Sequence, residues 1–288
     1  MPEVFFSSVV FSSIATQELI KLALAEDSVS EDYAAQTLGS KKSKAVLIAR
    51  EELIVCGLPI LKTIIAVAHS SVKMEIKTAD GKLVKANHIL AALSGPTAEI
   101  LTLERTMLNF IQRMSGIASI TRRWVDNAGD ITILDTRKTL PGYRHLDKYA
   151  TRIGGAKNHR MNLSAMAMIK NNHIDATPGG MKQVTNRVRA VAPLGTPLEI
   201  EVRDLKELKS ALLENPTVIM LDNMNDTQIR SAISIVRKSK FLGVIEVSGG
   251  IKIDRLATLN QLGVTHVSVG SLTHSVRAAD ISLRIVQN

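Results

Sequence analysis

Residues 218–250 read VIMLDNMNDTQIRSAISIVRKSKFLGVIEVSGG and contain one complete repeat of the fold. An apolar run, 218–222, ends in Asp222; Ile229, Ile233 and Val236 then recur at helical spacing behind an Asp226 cap. A second apolar run, 244–248, ends in Ser248-Gly249-Gly250. Short continuous apolar runs bounded by turn residues suit strands buried on both faces. Strand, helix and strand in that order predict a parallel βαβ unit with a right-handed crossover.

The same beat extends in both directions. Further strand-like runs fall at 131–135 (ITILD), 166–170 (MAMIK), 198–202 (LEIEV) and 264–269 (VTHVSV). Leu205, Leu208 and Leu212 mark a helix over 204–214, and a helix over 252–262 stops at Gly263, the residue best suited to a left-handed end. Six units in about 140 residues are too few for a closed eight-stranded barrel, which takes roughly 250. No G-x-G-x-x-G follows the first strand, as a doubly wound dinucleotide sheet would require. The expected class is α/β, with an open (incomplete) α/β barrel. Upstream, 44–50 (KAVLIAR) is an apolar run, and 72–78 (VKMEIKT) alternates, with Asp80-Gly81 supplying a hairpin turn. Leu101, Leu108, Ile111 and Met114 then share one face of a helix over 98–118. A smaller α/β domain therefore precedes the barrel.

Composition narrows the function. Hydrophobic residues make up 45% and charged residues 22% of the 288 positions, which excludes global disorder. Aromatics are only 3%, so the core is aliphatic and base-stacking on single-stranded nucleic acid is disfavoured. A net charge of +9 concentrates anions. The single cysteine, Cys56, can build neither an internal disulfide nor a thiolate metal site, which favours a reducing compartment. No stretch reaches the roughly 18 apolar residues of a membrane helix; the longest, 57–68, carries Pro59 and Lys62. No Lys or Arg precedes Lys21, so Met1 to Val10 reads as part of the fold rather than a secretory signal. The expectation is a cytoplasmic protein without membrane or nucleic-acid partners.

The unusual polar residues sit where predicted strands end. Thr136, Arg137 and Lys138 follow the first barrel strand and Lys170 ends the second; Glu201 lies near the end of the third and Asp222 ends the fourth. Ser248, Gly249 and Gly250 follow the fifth and Gly270 the sixth. In an α/β barrel these positions converge on the C-terminal rim. Arg137, Lys138, Arg160 and Lys170, with His159, form a cationic group suited to a multiply carboxylated substrate, because the Arg fork pairs two carboxylate oxygens at once. Glu201 and Asp222 are the oxygen ligands a hard cation such as Mg²⁺ prefers. Glu199, two residues before Glu201, faces the same side, with a structural role as good a reading as a functional one. The glycines offer unobstructed N–H groups to phosphate. His69, His88, Trp124, Cys56, Met161, Met166 and Met168 read as structural or core residues.

Seven segments carry a resemblance: 104–118 (ERTMLNFIQRMSGIA), 135–144 (DTRKTLPGYR), 154–160 (GGAKNHR), 169–173 (IKNNH), 220–224 (MLDNM), 246–251 (EVSGGI) and 268–275 (SVGSLTHS). From about residue 20 onward the chain resembles the quinolinate phosphoribosyltransferases, the decarboxylating nicotinate-nucleotide pyrophosphorylases of NAD biosynthesis. The resemblance implies an N-terminal α/β sandwich domain over 1–115, with a tail at 274–288 packed on it, and an open barrel over 116–273. It also implies a homodimer, or a higher assembly of dimers, in which Arg105 reaches the neighbouring site. Arg105, Arg137, His159, Arg160 and Lys170 would form the quinolinate pocket. Thr136, Lys138, Glu201, Asp222, Ser248, Gly249, Gly250 and Gly270 would hold phosphoribosyl pyrophosphate with Mg²⁺, Glu201 and Asp222 being the metal's carboxylates. Lys138, Lys170, Glu201 and Asp222 would be the catalytic set. The chain departs from the family pattern at 26–32 (EDSVSED), Asn87, Ala156, Ala165 and Asn171. None of these positions removes an expected ligand.

The implied reaction joins quinolinate to phosphoribosyl pyrophosphate and yields nicotinate mononucleotide, CO₂ and pyrophosphate. A paralogue of the same fold acting on another acid or in molybdenum metabolism is the nearest rival. A basic nucleic-acid-binding module, suggested by the net charge alone, is the more distant one. The segments KNHR and IKNNH disfavour the first and the low aromatic content disfavours the second.

Overall fold

The structure is a computed structural model that describes residues 9–286. Of the N-terminal segment read as part of the fold, Met1 to Ser8 lie outside the described residues. In chain order the first elements are α1 (Ile14–Glu26), α2 (Tyr33–Gln36), β1 (Lys42–Ala49), β2 (Leu53–Ile54) and α3 (Leu58–Val67). There follow β3 (Lys73–Ile76), β4 (Leu83–Val84), β5 (Ile89–Pro96), α4 (Thr97–Asp126), β6 (Thr132–Leu134) and α5 (Arg144–Ile153). The chain continues through β7 (Ala167–Ile169), α6 (Asn171–Asp175), α7 (Gly180–Val191), β8 (Leu198–Val202), α8 (Leu205–Glu214) and β9 (Val218–Asp222). It ends with α9 (Asp226–Ser239), β10 (Val244–Ser248), α10 (Leu256–Leu262), β11 (His266–Ser268), α11 (Ser271–His274) and β12 (Ile281–Val286).

Two compact units result. The first takes the chain up to Arg122, the excursion Thr139–Gly155 and everything from Ser271 on. Its four-stranded sheet has the order β12-β1-β5-β3, with each neighbouring pair antiparallel. Ala45, Leu47 and Ala49 of β1 alternate onto one buried face, in one core with Leu61 and Ile64 of α3 and Ile100, Met107 and Ile111 of α4. That alternation is why KAVLIAR forms a strand here: branched and small side chains fill a half-buried pleated surface. The tail strand β12 completes the sheet, with Leu47 opposite Leu283.

The hairpin expected at Asp80-Gly81 is not one. The strand β3 pairs with β5, while β4 pairs with β2. Gly81 does adopt the left-handed φ of +87° that a tight turn needs, but the Asp80 carboxylate is the reason for the bend. It accepts hydrogen bonds from the Gly57 and Leu58 N–H groups and from the Tyr149 hydroxyl. The helix expected over 98–118 extends to Asp126. At Asn87, where the chain departs from the family pattern, φ is +69°, a left-handed value asparagine tolerates.

The second unit holds Arg123–Lys138 and Ala156–Gly270. Its six strands are parallel in the order β6-β11-β10-β9-β8-β7. Strands β7 to β11 are sequential neighbours, and β6 closes beside β11 rather than beside β7. The sheet is thus curled like a barrel and left open between β6 and β7, the connection from which the Thr139–Gly155 excursion departs. Expected spans and observed strands coincide at 198–202, 218–222 and 244–248. The cap of α9 is Asn225 rather than Asp226: its side chain accepts from the Gln228 N–H while Gln228 Oε1 accepts from the Asn225 N–H.

Candidate active site

Parallel register decides which side chains share a face. Met168 lies beside Glu199, and Glu199 beside Val218; Glu201 lies beside Met220, Met220 beside Glu246, and Glu246 beside His266. The alternate residues Ile200, Ile219, Ile245, Val247 and Val267 are buried on the opposite face. One face of this sheet is therefore aliphatic, and the other carries three glutamates, of which Glu199 and Glu246 are 0% and 2% exposed.

At the C-terminal ends of these strands lies a cavity of about 510 Å³. That volume is in the range of small-molecule sites. Thr136, Arg137, Lys138, His159, Arg160, Lys170, Glu201, Asp222 and Ser248 all line it, nine of the positions singled out from sequence. Met168, Met220, Asn223 and Ser268 line it as well and were not anticipated as site residues. Gly249, Gly250 and Gly270 are absent from its lining, and Arg105 stands exposed on α4 in the first unit.

The segment 157–160 is held tightly. Asp135, fully buried just past β6, accepts from the His159 N–H at 2.9 Å and from Asn158 Nδ2 at 2.6 Å. The Arg160 guanidinium donates to the Met166 carbonyl at 2.8 Å and touches Met168 Sδ at 3.4 Å. Its pKa is lowered by burial and by the neighbouring Arg137 charge, with Glu199 opposing. Two guanidiniums set together at a cavity wall form a ready receptor for paired carboxylates. Burial disfavours charge on His159, and the nearby Glu199 and Glu246 favour it. The Arg160 N–H meets Nδ1 at 2.8 Å and needs a lone pair there. That contact decides the matter, since a proton on Nδ1 would leave two N–H groups facing each other.

Across the cavity, Lys170 Nζ lies 3.1 Å from Glu201 Oε2, and Asn171 Nδ2 donates to Glu201 Oε1 at 3.1 Å. Asp222 Oδ2 accepts from Asn223 Nδ2. The Asn223 N–H donates to the Ser248 carbonyl, and its amide sits against Gly249, where a Cβ would collide with it. Gly249 and Gly250 have φ of +93° and +60°, so the turn after β10 is one that glycine accepts readily.

Sequence reasoning missed Asn223 and Ser268 because neither stands out by type; only the Asn223 N–H bond to the Ser248 carbonyl and the register of Ser268 beside Leu134 place them on the rim. Glu246 lacked any signal beyond its position inside an apolar run, which is itself unusual in a doubly buried strand. Asp135 reads in sequence only as the end of ITILD and the start of DTRK, and its grip on residues 158–159 is a tertiary fact.

Comparison with known proteins agrees over most of the chain. Residues 32–115 match the family profile described as quinolinate phosphoribosyl transferase, N-terminal domain, and residues 117–284 match that of the C-terminal domain. The chain is 39% identical over 288 residues to a chloroplastic nicotinate-nucleotide pyrophosphorylase [carboxylating] of Oryza sativa subsp. japonica, covering 93% of this chain and 76% of the relative. A probable nicotinate-nucleotide pyrophosphorylase [carboxylating] of Synechocystis is 34% identical, covering 92% and 90%. The crystal structure of the nicotinate-nucleotide pyrophosphorylase from Ehrlichia chaffeensis superimposes with a TM-score of 0.87 at 36% identity, covering 93% and 98%. The chain belongs to the quinolinate phosphoribosyltransferase family.

Proposed function

We propose that this chain transfers the phosphoribosyl group of phosphoribosyl pyrophosphate to quinolinate and releases CO₂. The observation that carries the reading is the convergence of Arg137, Lys138, Arg160 and Lys170 with Glu201 and Asp222 on one cavity at the strand ends. Quinolinate is a dicarboxylate, and the Arg137–Arg160 pair matches its two adjacent carboxylates. Lys170 and His159 complete that pocket, while Thr136, Lys138, the N–H groups of the Ser248-Gly249-Gly250 turn and Gly270 would hold the phosphates. Arg105 is assigned to the quinolinate site of a neighbouring copy, which makes a homodimer the working unit.

The reaction asks mainly for placement. The ring nitrogen's lone pair forms a bond to the anomeric carbon while the carbon–oxygen pair leaves with pyrophosphate. The ring is now cationic. The bond from the adjacent carbon to its carboxylate breaks, CO₂ departs, and the electron pair left on that carbon takes a proton. Arg137 and Arg160 hold the acid in line, and Lys138 offsets charge on the departing pyrophosphate.

Glu201 and Asp222 fit a hard cation by donor type. Both Glu201 oxygens are already engaged by Lys170 and Asn171, so the ion would be shared with water and phosphate oxygens rather than caged by protein. When bound, Mg²⁺ supplies Lewis-acid stabilisation of the phosphates. A cytoplasmic location suits the lone, buried Cys56. Among the described residues no helix is long and apolar enough to cross a membrane.

The test is CO₂ release from carboxyl-labelled quinolinate. Release that requires both phosphoribosyl pyrophosphate and Mg²⁺ is expected; none with both present refutes the reading. For the shared site, Arg105→Ala and Lys138→Ala chains are each inactive alone and regain activity when mixed. Demonstrated mixed dimers without activity refute the sharing.

A further inference from the structure

Beneath the arginines lies a buried cluster that the reaction as described does not use. His159 Nε2 is 3.1 Å from Glu199 Oε2 and 3.5 Å from Glu246 Oε2, and both carboxylates are shut off from solvent. Glu246 Oε1 accepts from the Ser268 hydroxyl, on the adjacent strand β11. Carboxylates in an interior are costly and persist where their partners are fixed. Here the partner is one imidazole, and it joins three strands. The glutamates stand on β8 and β10, and Asp135 beyond β6 grips the backbone of His159 itself.

The ring passes this hold to its neighbour. Nε2 faces the glutamates at close range, the Glu199 oxygens having no hydrogen-bond partner elsewhere, and Nδ1 accepts the Arg160 N–H at 2.8 Å. Ring and main chain are therefore locked together immediately before the guanidinium that faces the cavity. Rotation of the imidazole would break the Nε2 contacts and the Arg160 N–H bond at once. We propose that Glu199 and Glu246 are positioning residues that hold His159 by Nε2–H and thereby fix the 158–160 segment that presents Arg160 to the substrate's carboxylates. This inference rests on the reading of the site given above. It assigns the glutamates no contact with substrate; they act through His159.

The test separates placement from mere stability. Glu199→Leu keeps the volume and removes the acceptor, whereas Glu199→Gln keeps an acceptor oxygen for Nε2–H. The Leu variant is expected to raise the quinolinate KM roughly tenfold or more, the scale of one lost charge-assisted bond. Its KM for phosphoribosyl pyrophosphate should stay within about threefold, because that substrate does not rely on Arg160. The Gln variant should recover most of the quinolinate loss. An unchanged quinolinate KM in the Leu variant, a parallel rise in both KM values, or no advantage of Gln over Leu overturns the proposal.

A second readout needs no turnover. Nitrogen-15 spectra of the unliganded protein should show His159 with its proton on Nε2 and a lone pair on Nδ1, and a mixture of tautomers in Glu199→Leu. A ring signature indifferent to Glu199→Leu overturns the proposal even if KM shifts. If that variant does not fold, Glu246→Leu takes its place, with a perturbed His159 signature expected and an unperturbed one counting against. Should the wild-type protein release no CO₂, the enzymatic reading fails, and the spectra still decide whether the glutamates hold the ring.

Discussion

The antiparallel sheet of the first unit and the parallel sheet of the second bury their interiors to opposite ends. The inward face of β1 and β5 is Ala45, Leu47, Ala49, Ala91 and Leu93, aliphatic throughout and at most 2% exposed. The corresponding face of β8 and β10 carries Glu199, Glu201 and Glu246, all below 10% exposed. Aliphatic burial is the main driving force of folding, whereas a buried carboxylate adds nothing to stability that a well-packed leucine would not. A chain that keeps carboxylates inside one sheet and excludes them from the other is using the first sheet to fold and the second to bind. Where the first unit does bury an ion pair, it is fully matched: Arg113 Nε and Nη2 meet Asp147 Oδ1 and Oδ2 at 2.9 and 2.8 Å. That fork–fork pair links α4 to α5.

Substitutions can break this contrast, and the largest effect belongs to the first unit. Leu47→Ala deletes a fully buried side chain at the centre of the antiparallel sheet. It should cost about 2–5 kcal/mol in unfolding free energy, read from urea titration. The KM for quinolinate should not move in the fraction that remains folded. A shift in KM would show that the two interiors are not separate in purpose.

Next in size is Arg160→Ala, which tests the reverse. Removing one charged partner should weaken quinolinate by roughly 1.5–3 kcal/mol, about 10- to 150-fold in affinity by calorimetry. The thermal midpoint should hold within about 2 °C, because the guanidinium lies at a cavity wall and supports no core packing. Unchanged affinity would remove Arg160 from the pocket. A collapsed midpoint would make it structural.

A smaller effect tests the shell of helices around the parallel sheet. Asn225→Ala removes the reciprocal capping bonds with Gln228 and should cost about 1 kcal/mol, with activity intact. Asp226→Ala should cost less at the cap, since Asp226 instead pairs with Arg255 on the surface. Equal losses would mean the cap had been placed one residue too early.

The same contrast explains what could be read from the letters. The strands at 198–202, 218–222 and 244–248 were legible to the residue because continuous apolar runs stop abruptly at polar ends. The rim was legible for a related reason: a polar residue at the end of a doubly buried strand has one plausible place to go in an α/β barrel. Shorter strands were blurred. At 166–170 only three residues pair, since Met166 gives its carbonyl to Arg160. The Thr139–Gly155 excursion into the first unit left no periodic trace, because α5 buries Asp147, Lys148 and Thr151 as well as apolar residues. The run at 119–126 hid the last turns of α4 behind Arg122 and Arg123. Glu246 and Asp135 were illegible as parts of the site, for their shared partner His159 lies 87 and 24 residues away, across a register that no local pattern encodes.

The smallest effect compares two of the less exposed histidines, one in each unit. His159 faces two carboxylates; His145 faces the Thr16 hydroxyl at 2.8 Å. Burial lowers the His145 pKa below its ordinary 6.5, with no carboxylate to offset it. The unfolded chain therefore binds a proton at a higher pH than the folded one does. Above about pH 6.5 both forms are neutral there and stability is unaffected. As pH falls from 6.5 toward the depressed folded value, only the unfolded state gains the proton, and stability drops. Thermal midpoints measured at about pH 7.5 and about pH 5.5 should fall further in the wild type than in His145→Gln, which keeps a polar side chain and cannot titrate. Identical falls would mean that the ring near Thr16 accepts its proton as easily folded as unfolded, and that burial alone does not distinguish the histidine of the first unit from that of the second.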